Sequence, residues 1–468
     1  MLAAFLLSLQ DTAAAVALPT MGRELELGTA GLEWVVNAYT VALMVLVLPA
    51  GRLADRFGRR RLFVIGLVVF GVASLAAGLA SDGAMLLAAR VVQGAGAGLM
   101  GPASLALVSE MGGGRRAAAV GGWAAAAAAG LALGPLLGAV LTEQLGWSWI
   151  FLANVPLVVL ALAIVPGALR RDVPLPDRPS LDMGGGLLSA IALAGGIFAL
   201  TEGGFYGWTS PSVLAAAAVT LLAAAAFVAV ERRLREPLVQ LTLFRARAFA
   251  GANLVTLLST AVMCSVLFFM SLYLQLALGY SPLRAGLAFL PMTATIVVAA
   301  PLAGALADRI GPRVPAVGGM LALALGLLGL AQLGVDGSFA ATLVSLALIG
   351  VGAGLTTTPV TAAALDALPP ERSGEAAAIV TTFRMIGLAV GIAGMGALVA
   401  FRWPSGFASA GLPAAGLGDG LADAFTINAL LSLATAALAY FTLGRASAKE
   451  AGPIGRVRAD SNSNVRGH

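Results

Sequence analysis

A chain of 468 residues with 59% hydrophobic and 11% charged residues, mean hydropathy +0.94 and a formal net charge of +5 carries too little charge for a water-soluble globule, where about 25% is usual. The composition is that of an all-α polytopic membrane protein. Cys264 is the sole cysteine and His468 the sole histidine, which excludes an internal disulfide framework and histidine-based catalysis or metal binding; no metal or cofactor is expected, and the chain is not read as an enzyme.

The first apolar segment, 1–20, contains FLLSLQDTAAAVALP from Phe5 onward. It lacks a basic leader and holds Asp11 within its apolar run, so it reads as a spanning helix and not as a signal peptide. Asp11 sits ten residues in, roughly 15 Å deep at 1.5 Å per residue. That is too deep for a short side chain to reach the interface. Such a carboxyl can load and release protons or bind a cationic substrate.

Thirteen further apolar runs follow, at 32–53, 62–80, 84–108, 117–141, 149–169, 183–201, 211–230, 248–277, 284–306, 314–334, 339–363, 374–401 and 424–443. Each is long enough to cross a bilayer, which takes about 20 residues. The Lys and Arg residues test this division. If both termini are cytoplasmic, the inner connections hold DRFGRRR, GGGRR, RRDVPLPDR, ERRLRE with FRAR, DRIGPR and PERSGE, while the outer ones hold only Arg23, Arg284 and Arg402. The positive charge therefore expresses topology, and no nucleic-acid partner is implied. Trp34, Trp147, Trp149, Trp208 and Trp403 fall at outer span ends or in outer loops, as an interfacial belt does.

Charges inside spans are costly, at least about 2.5–3.5 kcal/mol each, and mark functional candidates. Arg90 lies in the fourth span, with Gln93 one turn on, and Arg384 lies well inside the thirteenth. By contrast, Glu33 opens the second span and reads as an entrance or topology residue at the outer interface. Asp182 and Glu202 flank the seventh span as boundary residues.

The chain repeats itself. GRLADRFGRR (51–60) recurs as GALADRIGPR (304–313), and the Gly-rich stretch from Gly94 is echoed from Gly350, both at a spacing of roughly 255 residues. Two six-span units are expected, with two inserted spans between them: 1–169 as the first bundle, 170–247 as a linker with spans seven and eight, 248–443 as the second bundle, and 444–468 as a cytoplasmic tail. Arg90 aligns with Leu346 and Arg384 with Ala128, so each charge belongs to one unit alone.

These motifs carry a resemblance. GRLADRFGRR and RVVQGAGAG resemble the loop and fourth-span signatures of the major facilitator superfamily. Gly121, Gly130, Gly134, Pro135 and Gly138 match the fifth-span antiporter signature, whose last glycine is Ala139 here. The chain is similar to the fourteen-span drug:proton antiporter branch of QacA/EmrB type. The resemblance implies the major facilitator fold: two six-helix bundles plus two inserted helices, fourteen transmembrane helices in all. It implies a conformational latch at Gly51, Asp55, Arg56, Gly58 and Arg59, with a second copy at Asp308 and Arg309. It also implies that the fifth-span glycine stripe packs against the other bundle. In the first span the family's acid aligns with Gln10 and makes Asp11 its neighbour, one helical step of about 100° away. Proton-coupling and substrate candidates are thus Asp11, Gln10, Arg90, Gln93 and Arg384.

The expected function is proton-coupled antiport that exports hydrophobic or cationic compounds by alternating access. A dedicated exporter of one metabolite or antibiotic, or an importer, are the alternatives. No nucleotide-binding loop of the form G-x-x-x-x-G-K-[ST] occurs. The expected setting is the bacterial inner membrane, the expected partners are protons, small molecules and lipid, and the expected state is a monomer.

Overall fold

The computed structural model describes residues 1–109, 115–168, 182–234, 240–332, 339–367, 373–402 and 414–444, and among these all regular structure is helical. Seven helices come first: α1 (Leu2–Glu24), α2 (Thr29–Phe57), α3 (Arg59–Gly78), α4 (Gly83–Ser109), α5 (Arg115–Leu145), α6 (Trp149–Leu152) and α7 (Asn154–Ala168). Then come α8 (Met183–Tyr206) and α9 (Pro211–Glu231). The remainder is α10 (Arg247–Leu272) with a π-helical extension Tyr273–Ala277, α11 (Pro282–Ala288), α12 (Leu290–Ile310), α13 (Arg313–Ala331), α14 (Phe339–Asp366), α15 (Ser373–Arg402) and α16 (Ala414–Thr442).

Twelve helical segments among the described residues are long and apolar enough to cross a membrane, against the fourteen expected. The two that differ are α2, whose described apolar part is the shorter stretch Gly31–Val47, and α5, where many side chains lie outside the described residues. Two spans are broken, α6 from α7 and α11 from α12. Pro156 and Pro291 follow the breaks and remove the N–H that would bond back four residues across each of them.

The sequence repeat becomes a repeat of helix pairing. α1 lies along α5, α4 along both α2 and α3, and α7 against α3. In the same pattern α10 lies along α15, α14 along both α12 and α13, and α16 against α13. The loop motif folds the same way twice. Gly58 (φ 99°) ends α2 and Gly311 (φ 88°) ends α12, a conformation open to glycine. Their N–H groups donate to Ala54 (2.9 Å) and Ala307 (2.8 Å). Glycines bring the helix pairs into contact: a methyl on Gly96 would strike the Phe70 backbone, and one on Gly352 the Leu323 backbone. In lipid, where apolar burial alone does not drive helices together, such close approach supplies the packing.

α8 and α9 pair with each other, and α8 is wedged against α2 and α15. α9 is the outer member: Leu221 and Leu222 are about 70% exposed. Exposed apolar side chains of this kind face lipid in a spanning helix.

The two groups of helices meet mainly at one end. α1 starts and α16 finishes at what is here termed the near end; the opposite end is the far end. At the far end one apolar core joins Leu18, Met21 and Trp147 to Phe268, Phe269, Leu388 and Phe425. A second core joins Leu6, Tyr39 and Val47 to Ile197 of α8 and Met385 and Ala389 of α15. Toward the near ends of α2–α4 and of α10, α15 and α16 the clusters are separate, with Ala50, Ala54, Leu62 and Ala103 in one and Phe249, Val255, Val380 and Leu443 in another. Polar ties between the groups also lie toward the far end. The Gln275 amide donates to the Val16 carbonyl (2.8 Å), and the Leu283 N–H to the Glu143 carboxylate (2.7 Å).

Candidate functional site

Arg90 of α4 is 1% exposed and the largest fully buried side chain among the described residues. A buried guanidinium must spend its donors. Its Nε donates to the Val35 carbonyl (2.7 Å) and an Nη to Gln93 Oε1 (2.6 Å). Gln93 passes the chain on by donating to the Ser74 hydroxyl of α3 (2.8 Å). The guanidinium also lies over the rings of Tyr39, at 4.3 Å, and Phe151, at 5.7 Å. Gly94, one turn on, permits this approach because a Cβ there would collide with the Tyr39 carbonyl. Arg90 and Gln93 thus form one network on α4 that reaches α2 at Val35 and α3 at Ser74.

Gln10 of α1 is 1% exposed and accepts a hydrogen bond from the Asn154 amide of α7 at 2.9 Å. Its own Nε2 and the Asn154 Oδ1 have no partner among the described residues. Gln10 therefore faces α7 within the α1–α7 group. Position 11 is one helical step on, within α1, and the Asp11 side chain lies outside the described residues.

The second buried polar site was missed in the sequence. Glu33 is 0% exposed, not an interfacial charge, and neither carboxyl oxygen has a hydrogen-bond partner among the described residues. It abuts α15 at Gly396, where an added methyl would collide with Oε1. Beside it, Glu202 of α8 is also buried and accepts from the Trp34 indole N–H at 2.6 Å. Asn37, one turn along α2, donates to the Thr201 hydroxyl (3.2 Å), and its Oδ1 is left without a partner. The apolar runs alone put Glu33 and Glu202 at span boundaries, but both helices extend past them. α2 begins at Thr29, ahead of Glu33, and α8 runs on to Tyr206, beyond Glu202.

The other expected positions divide. Arg384 is exposed in the middle of α15, although Leu388, one turn on, belongs to the far-end core. The side chains of Gly51, Asp55 and Gly121 lie outside the described residues. Arg56 lies 5.9 Å from the Phe57 ring, Gly58 makes the turn, and Arg59 opens α3. In the second copy Asp308 and Arg309 are exposed on the last turn of α12.

The glycine stripe departs from expectation. Gly130, Gly134 and Gly138 face α1, meeting Phe5, Thr12 and Ala13, and not the other group of helices. Among the fifth-span residues that do meet the other group, Pro135 and Ala139 lie against Gly286 of α11, and Glu143 accepts from the Leu283 N–H. The reason is helical phase: Ala139 is one residue on from the stripe, about 100° round the helix. Gly387 and Gly391 of α15 repeat the stripe against Leu257 and Ala261 of α10. On α14, Thr356 donates to the Gly352 carbonyl (2.8 Å) and Thr357 to that of Ala353 (2.9 Å), so both hydroxyls bond their own helix.

No group of three His, Cys, Asp or Glu side chains poised for a metal occurs among the described residues. What the arrangement offers is buried charge and amide chemistry between packed helices. A groove of about 490 Å³ lined by Arg284, Leu290, Phe339 and Leu343 lies within the second group of helices.

Residues 1–392 match the model of the Major Facilitator Superfamily. The chain is 37% identical over 405 residues to the multidrug resistance protein Stp of Mycobacterium tuberculosis, covering 85% of this chain and 74% of that protein. It is 35% identical over 445 residues to the puromycin resistance protein pur8 of Streptomyces alboniger, covering 94% and 86%. It is 32% identical over 417 residues to the tetracenomycin C resistance and export protein of Streptomyces glaucescens, covering 88% and 77%. Its fold is similar to the crystal structure of a bacterial homologue of the human lysosomal transporter Spinster in an inward-facing, unoccupied conformation, with a TM-score of 0.68 at 15% identity over 94% of this chain and 95% of that one. The chain belongs to the Major Facilitator Superfamily, and is a multi-pass membrane transporter and not an enzyme.

Proposed function

We propose that the protein is a proton-coupled antiporter that exports hydrophobic and cationic drug-like compounds by alternating access. The observation that carries this reading is the distribution of contacts between the two helix groups: a broad common core at the far end, a further contact along α2, α8 and α15, and separate cores at the near ends of α2–α4 and of α10, α15 and α16. Two bodies joined at one end can rock about a site between them. The named resistance and export proteins among its relatives support drug-like cargo.

In this reading α2 and α5 complete fourteen spans. The bundles are 1–169 and 248–443, α8 and α9 are the inserted pair in 170–247, and 444–468 is a cytoplasmic tail. The near end faces the cytoplasm across the inner membrane, the protein works as a monomer, and Arg384 looks into the near-side opening. Asp11, Gln10, Arg90 and Gln93 couple protons to cargo in the first bundle. The Asp55–Arg59 turn and, more weakly, Asp308 and Arg309 latch the near end. The fifth-span stripe holds α5 to α1 so that Pro135 and Ala139 can press on α11.

The test is ethidium transport in proteoliposomes under an imposed pH gradient. Accumulation that collapses with the gradient is expected; accumulation indifferent to it overturns the coupling. A dedicated exporter of a single antibiotic is the second reading, favoured by relatives named for one compound, puromycin or tetracenomycin C. A panel of unrelated cations and antibiotics separates the two.

A further inference from the structure

The Glu33 pocket has features a purely structural acid lacks. An ionised carboxylate buried without a donor costs several kcal/mol, whereas the neutral acid is accommodated far more cheaply. Glu33 is wholly buried with both oxygens unpartnered among the described residues, and Asn37 Oδ1 is an equally buried acceptor one turn away. The titratable group facing Glu33 from α8 is Glu202, an acid that repels a second negative charge. From α15 it meets Gly396, which has no side chain. Arg402, which closes α15, lies six residues beyond, roughly 9 Å along the axis. The buried cation of the region, Arg90, is engaged on the α4 face of α2 through the Val35 carbonyl. Glu24 is held by the Trp147 indole (2.8 Å). The pocket presents acceptors and acids, and what it lacks is a proton.

We infer that Glu33, with Glu202 beside it, is a proton-binding site whose occupancy is coupled to closure of α2 on α15 at the far end. One proton added to a Glu33 oxygen makes the carboxyl neutral and lets it seat against Gly396. Loss of that proton leaves a charge that is relieved by parting α2 from α15, which exposes the acid to the far-side water. The site favours whichever arrangement matches its protonation state, so proton binding and far-end closure stabilise each other reciprocally. Glycine at 396 is what allows the carboxyl to reach the neighbouring helix. This also gives the inserted pair a role: α8 supplies Glu202, and its bonds to Trp34 and Asn37 hold the acid at α2. The inference rests on the exporter reading for its use in transport, but not for the site itself.

Two measurements on the full chain in proteoliposomes test it. Infrared spectroscopy of wild type at pH 7 should show a protonated-carboxyl band that is lost in Glu33→Gln. A wild type without that band, or a band unchanged in the variant, overturns the site. In the second, Glu33→Gln should reduce pH-gradient-driven ethidium accumulation at least tenfold, while ethidium exchange at equal pH on both sides stays within about twofold of wild type. Accumulation at the wild-type level, or loss of exchange and accumulation together, overturns the coupling. Glu202→Gln, which removes the facing acid, should shift the pH dependence of accumulation without abolishing it; an unshifted profile removes Glu202 from the site. If wild type fails to accumulate ethidium under a gradient, the exporter reading fails while the infrared result still decides the proton site.

Discussion

Arg90 and Glu33 are both buried ionisable groups packed about one helix, α2, yet they are treated in opposite ways. Arg90 has a carbonyl, an amide oxygen and two aromatic faces around it. Glu33 has no hydrogen-bond partner among the described residues, and a glycine of α15 lies against it. A satisfied charge ties helices into one body, here α2, α3 and α4. An unsatisfied acid does the reverse: it makes a contact conditional on a proton. The tied site joins α2, α3 and α4, whereas the conditional site lies where α2 meets α8 and α15.

The contrast can be broken most strongly at Arg90. Arg90→Met strands the Val35 carbonyl and Gln93 and should cost about 1–3 kcal/mol for each of the two buried acceptors left without a donor; thermal unfolding in detergent reads this. Arg90→Lys should recover less than half of the loss, because a point charge cannot fork to two acceptors while stacking on Tyr39. If lysine restores full stability, the geometry of the network is not what matters.

Next in size is Gly396→Ala. The added methyl collides with Glu33 and should destabilise by about 1–3 kcal/mol. Adding Glu33→Ala should restore most of that, and a double-mutant cycle measures the coupling. Additive effects would show that α15 does not sense the acid. Trp34→Phe removes the indole bond to Glu202 and should cost about 1 kcal/mol, with the pH profile of ethidium transport displaced. Smallest in stability is Glu33→Gln, expected within about 1 kcal/mol of wild type, because no partner is lost. Unfolding as severe as that of Arg90→Met would erase the distinction between the two sites.

Much of this was legible in the one-dimensional pattern. The repeat at GRLADRFGRR and GALADRIGPR announced two related groups, and the same glycine turn ends α2 and α12. Arg90 and Gln93 stood out because charge and amide are expensive in an apolar run. Their partnership follows from i, i+3 spacing. Glu33 did not stand out, since a carboxylate near the end of an apolar run is cheap if the helix ends there. Its cost appears only once α2 is seen to start earlier and α15 to cover it. The glycine stripe was readable as a stripe, but its partner was not: periodicity shows that one face is smooth, and only packing says which helix lies on it.

Composition and period suffice to make the chain helical and fit for a bilayer, to reveal its repeat and to locate its positive loops. Both are local properties. Tertiary structure alone decided that Gln10 faces Asn154, that Gly130, Gly134 and Gly138 lie on α1, and that Glu33 meets Gly396 and Glu202. Those pairings join residues up to several hundred positions apart. They depend on the rotation of each helix about its axis, where one residue is about 100°, so a correct span with a one-residue error in phase puts the right side chain on the wrong neighbour.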